Sequence, residues 1–284
     1  MINNFILSIP SGFNLFGLDI KFYGIISALS YLTGVLVTCL LAKKRGFKID
    51  DIVTLACYVI PFAVIGARLG YVLFKLENFT NFWDIFKIWE GGLMFYGGLV
   101  GGALAVMLYC LIHKKNFLAL LDIIAPALII SQALGRWGNF FNQEAYGNYI
   151  DNPAFHWFPF GVYIDYCSQS GCLCEGSGWH NATFFYESLW NIIAFSILIY
   201  LIYRKSFKQN GIIAAYYLIF YGIGRIFIEG MRTDSLYLGS IRISQLLSAI
   251  FIVVGVSGIL YSTIKNRKKK DSFDKIMDII KSDL

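Results

Sequence analysis

The sequence predicts an all-α polytopic membrane protein with seven transmembrane helices. Of its 284 residues, 57% are hydrophobic and only 15% are charged, which is too little charge for the surface of a soluble domain of this length. Seven segments approach the roughly 20 apolar residues that a spanning helix needs. They cover residues 22–42, 51–74, 94–112, 117–134, 184–203, 211–229 and 243–264.

The basic residues predict the orientation of these helices. Most Lys and Arg residues fall in loops 43–50, 113–116 and 204–210 and in the tail after residue 264, which are alternate connections. Because cytoplasmic loops carry an excess of Lys and Arg, we expect the N-terminus outside and the C-terminus in the cytoplasm. These loops also explain the net charge of +6, so no nucleic-acid partner is expected.

The chain divides into a transmembrane domain, residues 1–264, and a basic cytoplasmic tail, residues 265–284. Residues 148–183 are rich in Pro, Gly and aromatic residues, so we expect short strands and turns forming a small extracytoplasmic cap. Apolar residues recur at helical spacing in the tail, which favours either an amphipathic helix on the inner leaflet or a solvated tail. The first residues lack a basic segment and a clear cleavage site, so we expect mature chain rather than a signal peptide.

The cysteines give no reason to expect a metal or another cofactor. Cys167, Cys172 and Cys174 lie together in the long loop, but their spacing matches no zinc site. One disulfide with a remaining thiol and three free thiols are both compatible with this pattern.

Polar residues follow the fourth apolar segment in GRWGNFFNQEAYG, residues 135–147. This stretch places Arg136, Asn139, Asn142 and Glu144 next to a segment that could cross a bilayer. Irregular backbone at membrane depth is tolerated only where it is buried or lines a wet cavity. We therefore expect the fourth helix to end here, inside the bundle, near residue 134.

The sixth apolar segment carries ionisable residues at helical spacing. Tyr221, Arg225 and Glu229 recur every four residues, and Arg232 lies close to the same helical face. Charged side chains in a membrane helix are costly and normally face a partner or a cavity. An internal Arg225–Glu229 pair is one explanation, but the excess of arginine favours a bound anion, such as a lipid phosphate.

The third segment, WEGGLMFYGGLVGG at 89–102, contains glycines that predict close helix packing, with Tyr96 between them. Arg68 and Tyr23 add an arginine and a phenol near the expected outer ends of their helices.

Together these residues resemble one family, the prolipoprotein diacylglyceryl transferases. The motifs, in order, are IKFYG (20–24), GARLGYVLF (66–74), WEGGLMFYGG (89–98), GRWGNFFNQEAYG (135–147), YESLWN (186–191) and YGIGRIFIEGMRTDSLYLG (221–239). The resemblance implies an enzyme of the bacterial cytoplasmic membrane with its active site toward the outer leaflet. Such an enzyme transfers the sn-1,2-diacylglyceryl group of phosphatidylglycerol to the lipobox cysteine of a prolipoprotein signal peptide and releases glycerol phosphate.

The resemblance also implies which residues form the site. Arg136 and Arg225 match essential family arginines and are assigned to the phosphate, with Glu229 orienting an arginine. The other lipid-binding candidates are Asn139, Asn142, Glu144, Gly147, Tyr23, Arg68, Tyr221 and Arg232.

Tyr96 departs from the pattern of this family, in which many members have histidine. A phenol is a poor base near neutrality because its ordinary pKa is about 10. His180 matches another family histidine and is the second catalytic candidate. Our hypothesis is that no single strong base is needed, because the arginines favour the thiolate and Tyr96 hydrogen-bonds to it.

Two other classes of protein remain as alternatives. A transporter or channel with an arginine-lined anion path would place polar residues through the whole membrane depth, whereas here they cluster in the expected outer half. A non-catalytic, lipid-binding relative of the transferases would keep the arginines and lose the chemistry.

Overall fold

The computed structural model describes residues 10–79, 81–88, 91–164, 177–204, 209–232, 237–238 and 241–282. Its helices are α1 (Phe22–Ala42), α2 (Ile49–Phe74), α3 (Phe95–Ile112), α4 (Phe117–Phe141), α5 (Thr183–Tyr203), α6 (Ile212–Glu229) and α7 (Ile243–Ser282). The strands are β1 (Gly12–Leu15), β2 (Leu18–Lys21), β3 (Gly161–Ile164), β4 (Gly178–Asn181), β5 (Tyr237–Leu238) and β6 (Ile241–Arg242), paired as three antiparallel hairpins.

The surfaces of the helices identify an all-α membrane protein. Six helices in the described part of the chain are long and apolar enough to span a bilayer, and α3 is a shorter apolar helix. Leu40, Leu111 and Val253 are each more than 60% exposed, whereas the carboxylate-bearing Glu229 is almost completely buried. Lipid covers such apolar surfaces, and costly polar groups then pair inside the protein. Seven spans with the N-terminus outside remain a prediction.

Two helices extend beyond the predicted boundaries. The expectation that the stretch 135–147 ends α4 is confirmed, because the helix ends at Phe141. The predicted bound near residue 134 is wrong, because the helix includes Arg136 and Asn139. The chain turns away afterwards, where Gln143 and Ala145 adopt positive φ angles. Helix α7 continues without a break through the basic segment, as its good helix-forming lysines allow.

The chain forms two compact units, whose boundaries fall within α1 and α4. The first unit contains residues 1–34 and 124–284, and the second contains residues 35–123. In the first unit, α4, α5 and α6 share an apolar core built around Ile129, Leu198 and Ile213, none of which is exposed.

The second unit is built on the close contact of α2 with α3. A methyl group at Gly97 would lie against the carbonyl oxygen of Gly66, and one at Gly101 would meet that of Phe62. The prediction of close packing by glycines of the third segment is therefore confirmed for Gly97 and Gly101. In the same unit, the fully buried Asp122 pairs with Arg45 at 3.0 Å.

The described part of segment 148–183 contains the expected short strands. Strands β3 and β4 pair antiparallel, and a 3₁₀ turn covers Pro153–Phe155. Cys167, Cys172 and Cys174 lie outside the described residues. The role of this segment as a cap remains a prediction.

Candidate active site

A network of buried ionic groups lies within the first unit, where α4, α5 and α6 meet. Glu187 is at its centre: one carboxylate oxygen contacts Nε of Arg136, and the other accepts a hydrogen bond from Nη1 of Arg225 at 2.6 Å. Nη2 of Arg225 contacts Glu229 at 2.7 Å. Arg232 approaches both carboxylates, at 3.9 Å and 4.0 Å. Side chains from three separate helices and one turn thus form a continuous ionic cluster.

The charges of this cluster do not cancel. Three guanidinium groups face two carboxylates, and the exposed fractions of the five side chains range from 2% for Glu229 to 24% for Arg136. An excess positive charge with little access to water attracts an anion strongly. Arg136 is the most exposed of the three cations.

Hydrogen bonds between the helices fix the places of these groups. Ser188 of α5 donates to the carbonyl oxygen of Ala133 at 2.9 Å and accepts from the indole of Trp137 at 3.2 Å, which sets α5 against α4. The indole of Trp190 donates to the carbonyl oxygen of Phe220 at 2.8 Å, which sets α5 against α6.

Polar residues in the last turn of α4 and just after it extend the cluster to the protein surface. Asn139 accepts from Nη1 of Arg136 at 3.5 Å and donates to the carboxylate of Glu144 at 2.8 Å. Asn142 donates to the same carboxylate at 3.5 Å. The ring of Tyr23 packs against Gly138, where a methyl group would lie 2.8 Å from a ring carbon. The structure therefore brings these predicted residues together beside Arg136.

Gly147 joins three segments of the first unit. It forms an isolated antiparallel bridge with Arg232, and its N–H donates to the carbonyl oxygen of Asn181 at 3.0 Å. Nδ1 of His180 lies 2.9 Å from the carbonyl oxygen of Gly147, and this histidine is buried against the ring of Tyr146 at 4.7 Å. The backbone thus sets the position of Arg232. A direct catalytic role for His180 remains a prediction.

Tyr221 precedes Arg225 by one turn on α6. Its ring lies 6.0 Å from that of Tyr217 and 5.9 Å from that of Phe251.

Arg68 and Tyr96 belong to the second unit. The guanidinium of Arg68 donates four hydrogen bonds of 2.6–3.0 Å to the backbone carbonyls of Asp84, Ile85, Gly91 and Gly92. A cavity of about 300 Å³ lies beside it. Tyr96, in the first turn of α3, is 40% exposed. Their roles toward a lipid remain predictions.

Sequence reasoning missed Glu187, although its motif, YESLWN, is part of the resemblance. The signal was present, because Glu187 is the one charged residue of α5. A carboxylate in an apolar helix normally has a partner in the protein interior. Its partners are arginines of other helices, which spacing within one helix does not reveal.

Comparison with known proteins agrees with the motifs. The family model described as prolipoprotein diacylglyceryl transferase matches residues 10–261. The phosphatidylglycerol–prolipoprotein diacylglyceryl transferase 1 of Clostridium perfringens is 40% identical over 92% of this chain and 97% of its own length. The transferase of Clostridium botulinum is 40% identical over 92% of this chain and 99% of its own length. That of Streptococcus pneumoniae is 41% identical over 92% and 95%. On this agreement of motifs, buried cations and relatives, the chain belongs to the prolipoprotein diacylglyceryl transferase family.

Proposed function

We propose that this chain is a phosphatidylglycerol–prolipoprotein diacylglyceryl transferase, which performs the first step of lipoprotein maturation. Its substrates are phosphatidylglycerol and a prolipoprotein whose signal peptide carries a lipobox cysteine. The relatives that share about 40% of its residues carry this activity in their names, and the buried arginines suit a phosphodiester. The enzyme acts in the bacterial cytoplasmic membrane, with its site toward the outer leaflet.

The chemistry is a displacement at carbon. The cysteine sulfur attacks the glyceryl carbon that carries the phosphate ester, a carbon–sulfur bond forms, and the carbon–oxygen bond breaks. The products are a thioether and glycerol phosphate. Because the leaving phosphate gains a second negative charge, fixed cations stabilise the transition state more than the ground state.

Arg136 and Arg225 are the groups assigned to the phosphate. The observation that carries this assignment is that both guanidinium groups contact the single carboxylate of Glu187, although they belong to different helices. Two planar guanidinium groups gathered around one anion provide the fork geometry that also fits the non-bridging oxygens of a phosphodiester. Arg232 adds positive charge, and Glu229 holds Arg225 in place.

Neutral and aromatic residues complete the proposed lipid site. Asn139 and Asn142, held by Glu144, offer amide groups to the hydroxyls of the glycerol head group. The remaining members of the proposed lipid site in the first unit are Tyr23, Gly147 and Tyr221, and His180 is the proposed hydrogen-bond partner of the cysteine sulfur. The roles that the resemblance implies for Arg68 and Tyr96 stay predictions.

A direct assay tests the proposal. Purified protein in detergent, supplied with phosphatidylglycerol and a lipobox peptide, is expected to increase the peptide mass by one diacylglyceryl group and release an equal amount of glycerol phosphate. Arg136→Ala and Arg225→Ala are each expected to lower the rate by about 10²-fold or more, because each removes a donor aimed at developing charge.

Arg204→Ala is the matched control. Arg204 follows α5 and its guanidinium lies 5.2 Å from the ring of Tyr200, so its loss is expected to leave the rate unchanged. Full activity of either site variant would show that the phosphate assignment is wrong. If the wild-type protein binds phosphatidylglycerol but modifies no peptide, the chain is a lipid-binding relative without the chemistry.

A further inference from the structure

The reaction proposed above moves one proton, and we propose that Glu187 carries it. The inference rests on the proposed function. A thiol must lose its proton before its sulfur becomes a good nucleophile, since only a few per cent of a free cysteine is thiolate near neutrality. The phosphate monoester that leaves as a dianion is in turn a proton acceptor. A carboxylate that touches both partners could take the proton from one and return it to the other.

The position of Glu187 suits this role. Its two oxygens contact Arg136 and Arg225, which are the two groups assigned to the phosphate. A phosphodiester bound by these arginines would therefore lie next to the carboxylate. The side chain of Glu187 is only 7% exposed, so bulk water has little access to the proton that it holds.

Charge balance favours transfer of the thiol proton to Glu187 when the substrate is bound. In the free protein, Arg136, Arg225 and Arg232 outweigh Glu187 and Glu229 by one positive charge. Arg242, at the backbone carbonyl of Glu229, and Glu144, bonded to Asn139, add one charge of each sign and leave this excess unchanged. A bound phosphodiester neutralises this excess. Loss of the thiol proton to bulk water would then leave a net negative charge in a poorly solvated site, which is costly. Transfer of that proton to Glu187 keeps the site neutral.

The same balance holds through the rest of the cycle. The sulfur attacks carbon, the carbon–oxygen bond breaks, and the phosphate leaves with two negative charges while Glu187 remains protonated. Glu187 then returns its proton to a phosphate oxygen, which restores the carboxylate and its ion pairs. Glycerol phosphate departs with one negative charge, and no other proton donor is required.

Glu229 does not suit this role in the same way. It contacts Arg225 and Arg232, and its side chain is only 2% exposed. The backbone carbonyl oxygen of Glu229 also accepts a hydrogen bond from Arg242. Glu229 is therefore a positioning residue for the arginines and a matched control for Glu187.

The test compares a thiol nucleophile with a nucleophile that is already ionised and therefore needs no base. Lipobox peptides are prepared with cysteine or with selenocysteine, whose selenol is already ionised at neutral pH. With the cysteine peptide, Glu187→Gln is expected to lower the rate by about 10²-fold or more, the usual contribution of general base catalysis. With the selenocysteine peptide, the same variant is expected to work within about threefold of the wild-type rate, because the lost step is no longer needed.

Glu229→Gln is expected to lose activity equally with both peptides, since misplaced arginines impair either reaction. Thermal unfolding in detergent checks that each variant is folded. Glu187→Gln should bind phosphatidylglycerol in mixed micelles at least as well as the wild type, because it removes a negative charge. If Glu187→Gln is unstable in detergent, Glu187→Asp replaces it, with a smaller loss expected on the cysteine peptide alone.

Equal losses on both peptides for the Glu187 variant, or full activity of Glu187→Gln on the cysteine peptide, would overturn the proposal. Failure of the wild-type protein on both peptides would instead refute the proposed function.

Discussion

Arg136, Arg225 and Arg68 have contrasting environments. In the ionic cluster, Arg136 and Arg225 contact the carboxylate of Glu187. Arg68 instead donates to four backbone carbonyls of the segment between α2 and α3, and its guanidinium lies 5.1 Å from the ring centre of Phe79. These contacts use several N–H donors of one planar guanidinium group, an arrangement that lysine does not have. Arg68 therefore holds the backbone at Asp84, Ile85, Gly91 and Gly92 in place.

Replacement of Arg68 tests this role. Arg68→Lys keeps the charge, but its compact ammonium cannot replace the planar set of N–H donors. Both Arg68→Lys and Arg68→Ala should therefore leave backbone carbonyl oxygens of this segment without donors. We expect the local free energy of opening to fall by about 2 kcal/mol, the cost of leaving partly buried acceptors without donors. Hydrogen exchange of residues 81–88 and 91–94 measures this change.

Lys75→Ala is the control for the Arg68 variants. The side chain of Lys75 is 55% exposed and its ammonium lies 3.8 Å from Glu77, so its loss should not alter exchange in the segment. Unchanged exchange after Arg68→Ala would contradict the assigned role.

Helices α2 and α3 pack closely because glycines, which have no side chain, lie at their contact. At Gly101 an added methyl group would meet the backbone of Phe62, whereas at the next residue, Gly102, its nearest neighbour would be a carbon of Val59 at 4.0 Å. The sequence indicated close packing from the glycines of α3. It could not indicate which glycines touch, because that depends on the partner helix and its register.

The two neighbouring glycines provide a matched pair of variants. Gly101→Ala should separate the two backbones and destabilise the protein by about 1–3 kcal/mol, the usual cost of overpacking. Gly102→Ala should be neutral or stabilising by less than about 1 kcal/mol, because alanine is the better helix former. Thermal unfolding in detergent distinguishes them. Equal melting temperatures for the two variants would mean that the α2–α3 contact is looser than the structure has it.

At the scale of the whole molecule, the sequence predicted the positions of the helices more accurately than their ends. A helix occupies each of the seven predicted segments, because long apolar runs are an unambiguous signal. The end of α4 was placed too early because Arg136 and Asn139 looked incompatible with a continuing apolar helix. They are accommodated because Glu187 and Glu144 pair with them. The partners come from segments far apart in sequence, and single-helix spacing cannot predict them.

The predicted orientation is tested by two engineered cysteines in a protein whose natural cysteines are replaced. Lys43→Cys lies in a basic connection and Asp151→Cys in segment 148–183, and both positions are exposed. Because basic loops face the cytoplasm, a membrane-impermeant maleimide should label Asp151→Cys in intact cells and Lys43→Cys only after permeabilisation. The reverse pattern would invert the topology.

The bridge between Gly147 and Arg232 has a consequence for how the protein is made. Translation delivers Arg136 and Glu187 to the membrane before Arg225 and Arg232 have left the ribosome. At that stage the cluster pairs one guanidinium with one carboxylate and has no surplus positive charge. Arg225 and Arg232 supply the surplus only after the sixth helix has been made and the backbone at Arg232 has bridged to Gly147. We therefore expect a chain that ends before Arg225 to have no activity.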